Sequence, residues 1–160
     1  MRGNIFSQPF IISNLISLLI LIIVLAKPIF GRMLISLIFI AAAIINTVVA
    51  ITNPDVYKVY ESLAALPVYE DFIRGPFSLH ITTYVIIIAA GQLMIGLGLA
   101  MKGMYESIAL VGAIIFLLAI APLGAGSSFP CTVILALACG ILLREEKRKS
   151  WFTLFLRLNY

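Results

Sequence analysis

The run ITTYVIIIAAGQLMIGLGLAM, Ile81 to Met101, most constrains what this chain can become: it is twenty-one residues without a formal charge. At about 1.5 Å per residue a helix of that length covers ~31 Å, the thickness of a bilayer's hydrocarbon core. Gly91, Gly96 and Gly98 would weaken an exposed helix in water, yet between membrane helices small residues let backbones approach closely. Residues 81–101 are therefore expected to span a membrane, with one uncharged amide, Gln92, near the middle.

The rest of the chain suits the same solvent. Hydrophobic residues make up 62% and charged residues 11%, and the mean hydropathy is +1.15, whereas soluble domains carry about a quarter charged residues. No linker or internal repeat divides the chain, so one compact membrane domain is expected. The net charge of +4 comes from basic residues that bracket apolar runs, which speaks of membrane orientation rather than nucleic-acid binding. The only cysteines, Cys131 and Cys139, lie eight positions apart in an apolar run, ~12 Å along one helix and too far to bridge. With a single histidine and no CxxC, nothing has metal-ligand spacing, and no catalytic constellation is visible.

In chain order, Phe10 to Ala26 is an apolar segment broken only by Ser13, Asn14 and Ser17. Arg2 before it and Val24-Leu25-Ala26 at its end allow a signal-peptide reading; Lys27 and Arg32, on the more basic side, favour an uncleaved helix with its amino end outside. A partly interfacial helix is a further alternative, since the run is short. Met33 to Thr52 is a second span, closed by Asn53-Pro54. Val56, Val59, Tyr60, Leu63 and Leu66 then recur at helical steps, predicting an amphipathic helix along the membrane surface, with Tyr57, Tyr60, Tyr69, Phe72 and Phe77 at headgroup depth. Gly75-Pro76 turns the chain back. Ser107 to Pro122 and Phe129 to Leu143 are the last spans, and REEKRK at 144–149 is expected to stop the final one. The expected fold is an all-α integral membrane protein: an antiparallel bundle of four core helices over 33–143, one more membrane helix and turn in 1–32, an outer loop at 53–80 and a basic tail at 144–160.

Five spans place Lys27, Arg32, Lys102, Arg144, Lys147, Arg148, Lys149 and Arg157 on one side, and only Arg2, Lys58 and Arg74 on the other. The richer side should be cytoplasmic, which puts the amino terminus outside, the carboxyl terminus inside, and the protein in the cell membrane.

GQLMIGLGLAMKG at 91–103 resembles the second-helix segment of DoxX-like membrane proteins, where a G-E-x-x-x-G-x-x-L pattern is common. The second span with ITNPDVY at 51–57 is similar to the end of that family's first helix, and APLGAGSSFP at 121–130 suits its third-to-fourth connection. The resemblance covers about residues 33–143. It implies a four-helix unit associated with membrane oxidoreductase assemblies, including thiosulfate oxidation feeding quinone, or an assembly partner of other membrane proteins. The chain departs from the pattern at Gln92, which stands where an acid is often found and so weakens a proton-linked role. It departs also in the helix at 10–26, which suggests a specialised partner surface.

These readings lead first to an accessory or scaffold subunit, possible partners being another membrane protein or a second copy of the chain within the bilayer. The alternative is a membrane protein or small enzyme that binds a lipid or, as the resemblance implies, a quinone. Asn46, His80 and Gln92 are the ligand-binding candidates, although a polar side chain at such depth normally hydrogen-bonds a neighbouring helix. Ala89, Gly96, Ala100, Ala109, Ala113, Ala136 and Gly140 are candidate helix-packing positions. Ser127 and Ser128, with His80, Thr82 and Thr83, are candidates for an outer vestibule. Arg144, Lys147, Arg148 and Lys149 would meet anionic lipid.

Overall fold

The computed structural model of the chain describes residues 8–127 and 129–158, with side chains through residue 145 except those of residues 125 and 126. Helix α1 (Gln8–Ala26) is followed after one residue by α2 (Pro28–Thr52). Short helices α3 (Val59–Leu63) and α4 (Pro67–Phe72) lie in the segment leading to α5 (Ile81–Ala100); α6 (Met104–Ile120) and α7 (Cys131–Leu158) complete the chain. Among the described residues α1, α2, α5 and α6 are long and apolar enough to cross a membrane, and the protein is an all-α helical membrane bundle. Its outer surface agrees: Leu15, Leu19 and Ile22 on α1 are 60%, 57% and 61% exposed, an arrangement that water would penalise and lipid accepts.

Alpha-five is held between α2 and α6 by two glycines on opposite faces. A Cβ at Gly96 would lie 2.6 Å from Ile40 Cγ1 and 3.1 Å from the Ser36 carbonyl, and one at Gly98 would lie 2.7 Å from the Ala109 methyl. The close approach of α2 lets the Ser36 hydroxyl donate to the Gly96 carbonyl at 2.6 Å. Gly103, at φ +73°, makes the turn that sends α6 back antiparallel to α5. Helix α1 packs against α2 and α7, and its Ile20 and Val24 enter the same core as Ile35, Leu99, Leu110 and Cys139.

Several boundaries differ from the expectation. The second helix starts at Pro28 rather than Met33, because proline suits the first helical position; the 27–32 turn contracts to Lys27. The charged run REEKRK, expected to stop the last span, leaves the helix itself unbroken: α7 continues to Leu158, since Glu, Lys and Arg favour helix and neither glycine nor proline interrupts them. Among the packing candidates Ala89, Gly96, Ala109, Ala113 and Ala136 are buried. Ala100 is exposed instead, because four residues advance the helix by about 40° past a full turn, and Leu99, fully enclosed, takes the seam. Gly140 is half-buried with no atom within 4 Å of where a Cβ would stand, so it makes no close contact; Ala136, Ala138, Cys139 and Leu142 carry the α7 packing.

Candidate functional site: an aromatic cavity beneath the 53–80 segment

The segment between α2 and α5 does not form one surface helix. Asn53 closes α2 through its N–H to the Val49 carbonyl, and Pro54 opens a 3-10 turn, Pro54–Lys58. Leu66 is extended before Pro67, as the residue preceding proline prefers, and a widened turn at Ile73–Phe77 kinks at Gly75 (φ −94°, ψ −107°). Each break redirects the chain, so the segment folds over the end of the bundle. It is tied there by Ala65 N–H to the Pro122 carbonyl at 2.8 Å and by the Tyr69 hydroxyl to the Ala119 carbonyl at 2.6 Å. The second bond satisfies a carbonyl in the last turn of α6, where intrahelical partners run out. Gly124, at φ +63°, lets the 121–127 turn lie against this cap: a Cβ there would be 2.8 Å from the Leu63 carbonyl.

The fold-back replaces the expected single surface helix and brings its aromatics together. Tyr57, Tyr60, Tyr69, Phe72 and Phe77 of the cap join Tyr84 of α5 and Phe116 of α6 around a cavity of about 350 Å³. Ring centroids of neighbouring pairs lie 5.4 to 6.1 Å apart, the spacing of edge-on and tilted aromatic contacts. Val85, Ile88, Ile120 and Leu123 supply aliphatic wall, and Asn46, Gln92 and Ser127 are the other polar lining residues.

Two of the candidates, Asn46 and Gln92, meet here. Asn46 Nδ2 donates to Gln92 Oε1 at 2.8 Å across α2 and α5, and the Tyr57 hydroxyl donates to Asn46 Oδ1 at 2.9 Å. A three-residue chain thus runs from cap to central helix. Among the described residues no charged side chain lines the cavity. Burial pushes the Tyr57 and Tyr60 phenols above their ordinary range, Tyr57 additionally through its neighbour Tyr60, so both stay neutral through physiological pH. Charge is confined to the cap's outer surface, where Arg74 pairs with Glu61 at 2.8 Å and Glu70 at 3.0 Å while 60% exposed, a setting in which such pairs are well screened.

The remaining candidates lie elsewhere. His80 is exposed at the start of α5, contributes its carbonyl to Tyr84 N–H, and does not line the cavity. Thr82 donates to the Ala50 carbonyl and Thr83 is exposed, so only Ser127 of the proposed vestibule reaches the cavity; Ser128 lies outside the described residues. Arg144 is exposed, and the side chains of Lys147, Arg148 and Lys149 lie outside the description, as does Arg2.

A further polar feature was not legible. Arg32, in the first turns of α2, forms an ion pair with Glu106 in the first turn of α6; both side chains are nearly nine-tenths buried, and Arg32 Nε has no other partner. The available signal was a lone acid in the apolar run MYESIALV. Glu106 also faces the partial positive charge of its own helix start. Among the described residues no group of three His, Cys, Asp or Glu side chains is placed to hold a metal ion.

Together these features define an α-helical integral membrane protein with an uncharged, aromatic-walled cavity at one end of its bundle. No family model, curated protein or solved structure matches the chain.

Proposed function

We propose that this protein binds a small neutral lipophile in the cavity, with its ring or headgroup among the aromatics. The observation that carries this reading is an apolar space of about 350 Å³ whose polar lining includes a buried amide pair. That combination suits a ligand that partitions into membranes and is oriented by a few hydrogen bonds. Lipids and quinones are the candidate ligands, the latter through the DoxX-like resemblance of residues 33–143. The accessory-subunit reading implied by the same resemblance is the competing outcome.

Lipophiles co-purifying with the wild type and with Ile88→Trp decide between them. Ile88 lines the cavity and is 38% exposed, so an indole has room to enter without disturbing the core. The variant should lose a specific lipophile seen by mass spectrometry in the wild type, while its thermal unfolding is unchanged. A stable membrane partner recovered equally with both, and no lipophile with either, would replace this reading with the accessory one.

The charge pattern supports an orientation in the cell membrane with the cap and cavity outside and the α5–α6 turn cytoplasmic. Ser62 in the cap and Lys102 in that turn are both exposed. In a background lacking Cys131 and Cys139, Ser62→Cys should react with an impermeant thiol reagent in intact cells, and Lys102→Cys only after lysis. Equal labelling of both in intact cells would sink the topology.

A further inference from the structure

We propose, building on the lipophile-binding reading above, that the cavity selects an uncharged planar ligand by a hydrogen-bond acceptor, a carbonyl oxygen, which Gln92 Nε2 holds.

The direction of the amide chain carries this inference. The Tyr57 hydroxyl lies 2.9 Å from the Asn46 side chain and 3.4 Å from the Asn46 main-chain carbonyl. The Asn46 amide is placed with Oδ1 toward Tyr57, where it accepts the shorter of the two contacts from the hydroxyl, and Nδ2 toward α5. Asn46 Nδ2 is then left to donate to Gln92 Oε1 at 2.8 Å. Both donors of Gln92 Nε2 remain. No acceptor for them exists among the described residues, although Gln92 is only 6% exposed. Nε2 is not among the fully enclosed unpartnered atoms, so it keeps accessible surface, and Gln92 is a lining residue.

The other polar groups do not oppose this preference. Tyr60 and Tyr84 also line the cavity, and their hydroxyls make no hydrogen bond with the described residues, so each can donate or accept. Ser127 directs its hydroxyl proton to the Gly124 and Ala121 carbonyls, which uses its donor locally. Among the described residues no carboxylate lines the cavity to receive a donor or a cation. The Gln92 Nε2 hydrogens can only donate, whereas the lining hydroxyls can serve either kind of partner, so the amide sets the preference, and the aromatic walls favour a flat ring system. A ligand that brings only an N–H would leave Gln92 Nε2 desolvated and unpaired, whereas a carbonyl pairs it.

The test uses three flat tricyclic probes of nearly equal size: 9-fluorenone, which offers only an acceptor, carbazole, which offers only an N–H donor, and fluorene, which offers neither. Each is titrated against tritiated 9-fluorenone on the purified full chain in lipid nanodiscs, with empty nanodiscs as the blank. The wild type should bind 9-fluorenone about five- to tenfold more tightly than fluorene or carbazole, the range one net hydrogen bond produces. In Gln92→Leu that advantage should vanish while fluorene binds at least as well. If the variant does not fold, the wild-type ranking decides alone. Carbazole binding tightest, or all three binding equally, overturns the acceptor rule and leaves lipophile binding standing. Absence of saturable binding for all three overturns both.

Discussion

Gly96→Leu should be the most damaging single substitution on α5, lowering the stability of the purified protein by about 3 kcal/mol, the upper part of the usual overpacking range. The cause is geometric. A side chain at this position meets Ile40 Cγ1 at 2.6 Å and, behind it, the Ile40 amide nitrogen and the Ser36 carbonyl, both at 3.1 Å. The isoleucine end can rotate away, but the backbone of α2 cannot move without the two helices separating. Separation would also break the Ser36 hydroxyl bond to the Gly96 carbonyl. Gly91→Ala on the same helix meets nothing within 4 Å and should be neutral or slightly stabilising, and Leu97→Ile, on the exposed face, should change little. Unfolding of the three variants in one detergent gives the comparison. If Gly96→Leu melts with Leu97→Ile, the face at Gly96 looks into lipid and the α2–α5 seam is misplaced.

The second large effect is expected at the end of the bundle away from the cavity, beyond the Gly96 contact. Removing either member of the Arg32–Glu106 pair leaves the other charge buried, and Arg32→Met or Glu106→Leu alone should each lower stability by about 3 to 5 kcal/mol. The double variant should recover most of that loss, because two apolar side chains of similar length need no partner and Arg32 Nε is unsatisfied even in the intact pair. A double-mutant cycle on unfolding free energies measures the coupling. Strictly additive losses would show that the two side chains do not act as a pair.

Four of the five expected spans, α1, α2, α5 and α6, were legible because a bilayer imposes a length and forbids charge, and Ile81–Ala100 meets both conditions without reference to any neighbour. Depth likewise singled out Asn46 and Gln92. What could not be read was their mutual hydrogen bond, since it joins positions forty-six residues apart and depends on the register of α2 against α5. Tyr57 was harder still. The same spacing of apolar residues describes a helix lying on lipid and a cap lying on protein, and only the breaks at Leu66-Pro67 and Gly75-Pro76 distinguish the two. Those breaks were visible as turns, but the direction in which they send the chain is set by Tyr69 reaching Ala119 and Ala65 reaching Pro122. The Arg32–Glu106 pair was hidden for a related reason: each residue alone looks like an ordinary flank of its span.

The single residue between α1 and α2 has a consequence for assembly. Chains with so short a hinge commonly exchange elements by straightening it, since the two helices need only become one. A helix running through from residue 8 to residue 52 would be ~67 Å long, more than twice the hydrocarbon thickness, and Lys27 would fall midway along it. In a membrane the straightened form has no place to lie across the bilayer. The thickness of the lipid therefore acts as a specificity determinant in its own right: it excludes the swapped dimer that the bare chain geometry would permit, and leaves the hairpin at Lys27 as the form compatible with two spans.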